Sequence, residues 1–345
     1  MRQKLGLAAV ATLVMAGAAW PAATALVPEP VRVIAFSGVS TLPILAGQAR
    51  GVFARRGLAV EVEITPNSQF LRSSLAAGKF EVAHAAVDNA VAMVEAGGSD
   101  IVIVMGGDDS LNELIVQPEV PTTSALRGRT VIVDAPDTAY ALQLRQVLLS
   151  SGLAAGRDYA VKPVGGTPQR LQAMLDSREH AASMLNPPSS ILAKRAGLRS
   201  LGLATDLLGA YQGMGAFTQR AWARDHRDTL VRYLAACVES LRWLLALENK
   251  REAIGFIAAS LKLAPDVAEE TYARAVASRG GLARDARLDV DGLRKVLKLR
   301  AEAEGQWNGK PPPPERYYDP AYYDAALALL AGATAGASAP AVKPD

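Results

Sequence analysis

The chain has 345 residues, of which 50% are apolar and 21% charged, with a formal net charge of +3. That composition describes a globular protein with length for two domains, and its near-neutral, interspersed charge argues against a nucleic-acid partner. One cysteine, Cys237, excludes an intramolecular disulfide.

Met1-Arg-Gln-Lys4, an uncharged run from Leu5 to Ala19 and Ala23-Thr24-Ala25 have the layout of a secretory signal peptide: a basic start, an apolar middle and a small-x-small cleavage site. The apolar run, about fifteen residues, is shorter than the ~20 that span a bilayer as a helix. Cleavage is expected after Ala25, removing Arg2 and Lys4 and leaving a mature, exported chain of about 320 residues with a charge of +1. A retained membrane anchor is the alternative. No cysteine lies near the site, which argues against lipoprotein processing.

Short β-branched runs then alternate with helical segments. Strands are predicted at Val31–Phe36, Ala59–Thr65, Val82–Ala86 and Ile101–Met105, with helices at Leu42–Arg50, Ser68–Ala77 and Asn89–Ala96 between them. After a pause at Leu114–Val116 the rhythm restarts. Strands are predicted at Thr130–Val133, Tyr159–Pro163, Ala181–Leu185 and Ser200–Leu203, and helices at Thr138–Ser150, Pro168–Leu175 and Ser189–Ala196. This alternation implies βαβ units, so the expected fold is α/β: two lobes, each a mostly parallel sheet flanked by helices. Leu114–Val116 is expected to leave lobe one and Tyr211–Thr218 to return to it, making a hinge. Helices follow at Asp225–Leu247, Pro265–Ser278 and Val290–Glu304. Then come a polyproline spacer (311–314), a tyrosine-rich segment and one more helix. The expected division is a leader at 1–25, lobe one at 26–115, lobe two at 116–212, a return to lobe one with C-terminal helices at 213–331, and a disordered tail at 332–345.

Open α/β sheets bind ligands beyond the C-terminal ends of their strands. That rule selects the loops carrying Ser37 and Ser40, Ser68, Asp88 and Asn89, Asp108, Thr138, Thr167 and Asn186. Several run into helix N-termini, whose N–H groups and dipole favour anions. Ser68 and Thr167 are expected as helix caps, with Pro168 at a first helical position. Arg72 and Arg170 are placed to pair with a ligand carboxylate or sulfonate, as is Arg145 further along its helix. Tyr140 and Tyr211 are candidates to wall the cleft. Plain capping, lobe contacts and core packing are the competing roles for these residues; the functional case rests on the loops converging. Cys237 reads as a small core residue, and His84, His180 and His226 show no ligand spacing, so neither a metal nor a cofactor is expected. No nucleophile elbow, P-loop or metalloprotease helix is present.

Several of these segments resemble a known family. Leu45-Ala46 through Gly51-Val52-Phe53, then Gly57-Leu58-Ala59-Val60-Glu61, is similar to the "A…G-x-F…G-L-x-V-E" pattern of the solute-binding proteins of aliphatic sulfonate, taurine and nitrate ABC importers. Leu75-Ala-Ala-Gly78-Lys-Phe-Glu81-Val-Ala83 resembles their "L-x-x-G-x-x-D-x-A", with Glu81 where Asp is usual. Leu126-Arg-Gly128-Arg-Thr-Val131 resembles the "L-x-G-K-x-V" that opens their second lobe. The resemblance covers roughly residues 31–250. It implies a two-lobed periplasmic receptor that delivers its ligand to an inner-membrane permease with its ATPase; ligand identity does not carry over, and the leading expectation is a small organic anion bound by a monomer. The pyrimidine synthases of thiamine biosynthesis and their periplasmic binding relatives share the superfamily, which leaves open a pyrimidine-precursor binder or a synthase-like enzyme. Those enzymes need a lysine, a histidine and a cysteine cluster, whereas this chain has only Cys237. A binding module that feeds a sensor is the third reading.

Overall fold

The computed structural model describes residues 27–337. The expected leader and its cleavage site at Ala25 lie outside the described residues, as do residues 338–345. Ten strands form two sheets of five. The first contains β1 (Glu29–Ala35), β2 (Leu58–Ile64), β3 (Val82–Ala86), β4 (Ile101–Met105) and β10 (Met214–Gln219), in the order β2-β1-β3-β10-β4. The second contains β5 (Glu113–Val116), β6 (Thr130–Val133), β7 (Ala160–Pro163), β8 (His180–Leu185) and β9 (Arg199–Leu203), in the order β7-β6-β8-β5-β9. Helices α1 (Leu42–Ala49), α2 (Ser68–Ala76) and α3 (Asp88–Glu95) flank the first sheet. Helices α4 (Ala139–Ser150), α5 (Thr167–Asp176), α6 (Ser189–Arg195) and α7 (Ala204–Leu208) belong to the second.

Each sheet is mixed. The β1 pairings with β2 and β3 are parallel, as are those of β6 with β7 and β8. β10 runs antiparallel to β3 and β4, and β5 antiparallel to β8 and β9. These two strands cross between the sheets. Each arrives from the other sheet without the long helical crossover that a parallel neighbour requires, and so it inserts in the opposite sense.

All five residues of β3 and of β4 are buried, as continuous apolar strands covered on both faces should be. β4 ends the first sheet, yet its edge is not bare. The Ile103 N–H donates to the Tyr317 carbonyl (2.7 Å), and the Ile103 carbonyl accepts from Asp319 N (3.1 Å). The tyrosine-rich segment thus covers an apolar edge that would otherwise invite pairing with another chain. Pro163 lies on β7, an edge strand, where its missing N–H is tolerated.

Beyond β10 the chain is helical: α8 (Arg220–Asp225), α9 (Arg227–Leu245), α10 (Lys250–Leu261), α11 (Pro265–Ala275), α12 (Val290–Glu304) and α13 (Ala321–Ala337). The helix expected at Asp225–Leu247 is α9, which begins after a break at His226 (φ −119°, ψ 38°), and α8 precedes it. α13 runs past the boundary expected at residue 332. Leu230, Tyr233, Leu234, Cys237, Leu241 and Leu244 form the buried stripe of α9 at helical spacing. Cys237 is core, and burial pushes its thiol up to about 12. The C-terminal helices also touch the second lobe: Arg195 of α6 pairs with Asp266 and Glu270 of α11, and Arg145 of α4 with Glu304 of α12. Among the described residues, no helix is long and apolar enough to cross a membrane.

Candidate functional site

The loops that follow the strands of one sheet meet those of the other. A Cβ placed on Gly38, after β1, would lie 3.5 Å from the Pro187 carbonyl, after β8. Ser68, after β2, donates its hydroxyl to Asp134 Oδ2, after β6, at 2.9 Å. Asn67, not Ser68, caps α2: the Asn67 side chain accepts from Phe70 N at 2.8 Å. Thr167 likewise begins α5 without capping it; Gly166 holds the cap position and Pro168 is the second helical residue. Thr138, at the N-cap of α4, donates its hydroxyl to Asp134 Oδ1, and its oxygen accepts from no helix N–H.

Inside this seam is a small pocket, about 10 Å³, room for roughly one water. Ser40, Asp108, Tyr140, Gln143 and Asn186 supply its polar wall. Asp108 is 2% exposed. Its Oδ2 accepts from Ser40 (2.6 Å), and its Oδ1 from the N–H groups of Ser110 (2.9 Å) and Met214 (3.1 Å), so it ties both crossing segments together. Burial raises its proton affinity. A Cβ on Gly213 would come 2.1 Å from Asp108 Oδ1 and 2.6 Å from Ser110 N, so only glycine fits this corner. Asn186 Nδ2 donates to the Tyr140 hydroxyl at 3.2 Å, and burial pushes that hydroxyl up to about 12.

Three arginines surround the pocket without lining it. Arg72 pairs through Nη1 with Asp137 (2.6 Å) and through Nε with Asn89 Oδ1 (2.7 Å), joining the lobes; its Nη2 is buried without a partner. Arg170 is fully buried, donating to Ser183 Oγ (3.0 Å), Gly165 O (2.7 Å), Thr167 Oγ1 (3.2 Å) and Met184 O (3.0 Å), with Asp134 at 3.9 Å. Its guanidinium stacks on Tyr140, 4.8 Å from the ring centre. Arg300 of α12 is also buried; it pairs with Asp88 at 2.7 Å and donates to the Asp137 carbonyl at 3.3 Å. Asp88 Oδ2 and the Tyr211 hydroxyl are buried without a hydrogen bond.

Of the twelve residues expected at the site, Ser40, Asp108, Tyr140 and Asn186 wall the pocket. Ser68, Arg72, Asp88, Asn89, Thr138, Thr167 and Arg170 form the polar seam around it, while Ser37 is exposed and stands apart. Arg145 is turned to α12. Gln143, Asn112 and Arg300 were missed. Gln143 lies one turn beyond Tyr140 on α4, a spacing that points to it; Arg300 carries no such local signal. Among the described residues, no three His, Cys, Asp or Glu side chains gather as metal ligands do.

Two α/β lobes joined by exchanged strands and closing on a polar seam define the periplasmic-binding-protein fold. The particular family is fixed by sequence: residues 27–258 match the NMT1-like family, and the chain belongs to it. Solved structures agree on the fold. The periplasmic nitrate-binding protein NrtA of Synechocystis PCC 6803 superposes with a TM-score of 0.72 at 14% identity, covering 89% of this chain and 90% of that one. The alkanesulfonate-binding protein SsuA of Xanthomonas axonopodis pv. citri, bound to MOPS, gives 0.66 at 20% identity over 82% and 93%. The desulfurization enzyme DSZB gives 0.61 at 14% identity over 87% and 99%. No curated protein matches the sequence.

Proposed function

We propose that this chain is the periplasmic solute-binding receptor of an ABC importer, exported by its leader and delivering a small organic solute to a permease and its ATPase. The observation that carries this reading is the seam. β5 and β10 are exchanged between the sheets as a hinge, and the strand-end loops of both lobes meet over one polar pocket. The chemistry supports binding over turnover. The Cys237 thiol is buried and stays protonated, so it is no nucleophile. His84 is buried and held neutral against the Tyr233 hydroxyl, 2.8 Å away. A small organic anion, sulfonate- or carboxylate-like, draws support from the unpartnered Nη2 of Arg72.

Native mass spectrometry of chain recovered from the periplasm, followed by small-angle scattering with and without the solute it carries, tests the reading. One solute per chain and a smaller radius of gyration on binding are expected. Conversion of the bound solute, or a radius indifferent to it, contradicts the proposal. Capture of the closed form by a neighbouring permease and ATPase separates an import receptor from a module that feeds a sensor.

A further inference from the structure

Two buried polar atoms of the first lobe make no hydrogen bond, and they carry opposite charges. They are Arg72 Nη2 on α2 and Asp88 Oδ2 on α3. The side chains are neighbours, since Arg72 Nε donates to the side chain of Asn89, the residue after Asp88, at 2.7 Å. A guanidinium and a carboxylate so placed would ordinarily pair. Asp88 is turned instead to Arg300 of α12, whose Nη1 donates to Asp88 Oδ1 at 2.7 Å, with both residues 1% exposed. Arg300 Nε is held in turn by Gln306 Oε1 (3.1 Å), which fixes the direction of the guanidinium.

Arg72, Asp88 and Arg300 belong to one lobe. Helices α2 and α3 flank the first sheet, and Leu293, Val296, Leu297 and Leu299 of α12 pack into the same core as Ile34, Leu71 and Ile101. Asp137, which holds Arg72 Nη1, lies after β6 in the other lobe. When the lobes part, Arg72 loses Asp137, and the acid left beside it is Asp88. If Asp88 were free to close on Arg72, it would cancel the charge that a solute anion has to find.

We infer that Arg300 is a positioning residue for the anion site: by holding Asp88, it keeps the Arg72 guanidinium open to the solute. Arg300 does not touch the solute and acts through Asp88. The inference rests on the anion reading above and gives α12 a part in it.

Calorimetric titration of the mature chain with ethanesulfonate, pyruvate and nitrate, all charged from pH 5 to 8, tests this. The anion that binds the parent most tightly is the probe. Arg300→Met should weaken it by at least about tenfold, the scale of one lost charged hydrogen bond, because Asp88 then closes on Arg72. Arg300→Met combined with Asp88→Asn should bind within about threefold of Asp88→Asn alone, since an amide leaves the Arg72 charge in place. That comparison strands no buried acid, so it decides the matter if Arg300→Met alone does not fold. A pH series separates positioning from a loosened fold. Asp88 is faced by Arg300, Arg72, Asp137 and the Tyr211 hydroxyl. Burial raises its proton affinity, and Arg300, then Arg72, lower it. Without Arg300 it takes up a proton more readily, and once protonated it releases Arg72. The deficit of Arg300→Met should therefore shrink as the pH falls from 8 to 5. Parent-like binding by Arg300→Met, a deficit that ignores pH, or a tenfold loss that persists beside Asp88→Asn overturns the inference and leaves the anion reading standing. If none of the three anions binds the parent, the anion reading falls and the inference with it.

Discussion

Two buried side chains put residue-level numbers on the seam. Arg300 leaves Asp88 Oδ1 as the only partnered oxygen of a carboxylate that is 1% exposed. Arg300→Ala strands that charge, so unfolding by urea should require about 3 kcal/mol less. Asp88→Asn in the same background should recover part of the loss, the non-additivity that marks a coupled pair. His84 supplies a pH dependence. Burial lowers its proton affinity from 6.5 to about 3 in the folded chain. Between those values the unfolded chain carries the additional proton, so this contribution to stability is lost as the pH falls from 6.5 towards 3. The slope is at most about 1.4 kcal/mol per pH unit. Urea titrations at pH 7, 6 and 5 should show a shallower acid slope for His84→Gln, by about one proton. Ser40, Asp108 and Asn186 were legible as pocket candidates because they lie in loops after strands, whereas Gln143, within α4, and Asn112, just before β5, were not. Arg72 and Arg170 were legible as positions and not as roles: which carboxylate takes an arginine depends on the other lobe. Arg300 meets Asp88 from 212 residues away in the sequence, and nothing near it in sequence indicates this.

At the scale of elements, strands and first-lobe helices stood out, since continuous apolar runs such as Ile101–Met105 and Gly breaks punctuate them. What pattern alone does not give is direction. β5 and β10 look like any other short apolar strand, and their antiparallel insertion follows from a topology that exchanges them between sheets. α10 escaped because only Ala253 and Ile257 are buried along it, too thin a stripe to show periodicity. The exchange itself has a point of weakness that can be probed. Where β10 begins, Gly213 presses on Asp108 and on the backbone of Ser110, a residue with φ of 77°. Gly213→Ala has no room to relax against a backbone nitrogen. It should destabilise the chain by about 1–3 kcal/mol, the usual cost of overpacking, seen as a lower urea midpoint. It should also weaken solute binding by displacing Asp108, whereas an alanine at Gly255, where a Cβ meets nothing within 4 Å, should do neither.

At the scale of the whole molecule, side chains of the two lobes are joined directly. Ser68 reaches Asp134, Arg72 reaches Asp137, and Arg300 spans Asp88 in one lobe and the Asp137 carbonyl in the other. In the proposed receptor, opening about β5 and β10 separates the first two of these contacts, so closure carries a favourable term before any solute contributes. The Arg72–Asp137 pair is the one that can be removed with least damage, because Asp137 is 45% exposed and its loss strands no buried acid. A pair this solvated is worth up to about 1 kcal/mol, a factor of about five in an equilibrium. Asp137→Ala should therefore shift the solute-free chain towards the open form by up to that factor. Because closing is part of binding, solute affinity should fall by a similar amount. Raising the salt from 0.1 to 1 M should move the parent protein the same way and the variant less, since screening in the variant acts only on the remaining pairs, such as those of Arg145 with Glu304 and of Arg195 with Asp266 and Glu270. Distance distributions between spin labels on the two lobes, with and without solute, measure both shifts. If the parent and Asp137→Ala give the same distribution at both salt concentrations, the pair has no share in closure, and the other contacts between the lobes, such as Ser68 with Asp134 and Arg145 with Glu304, set the resting state.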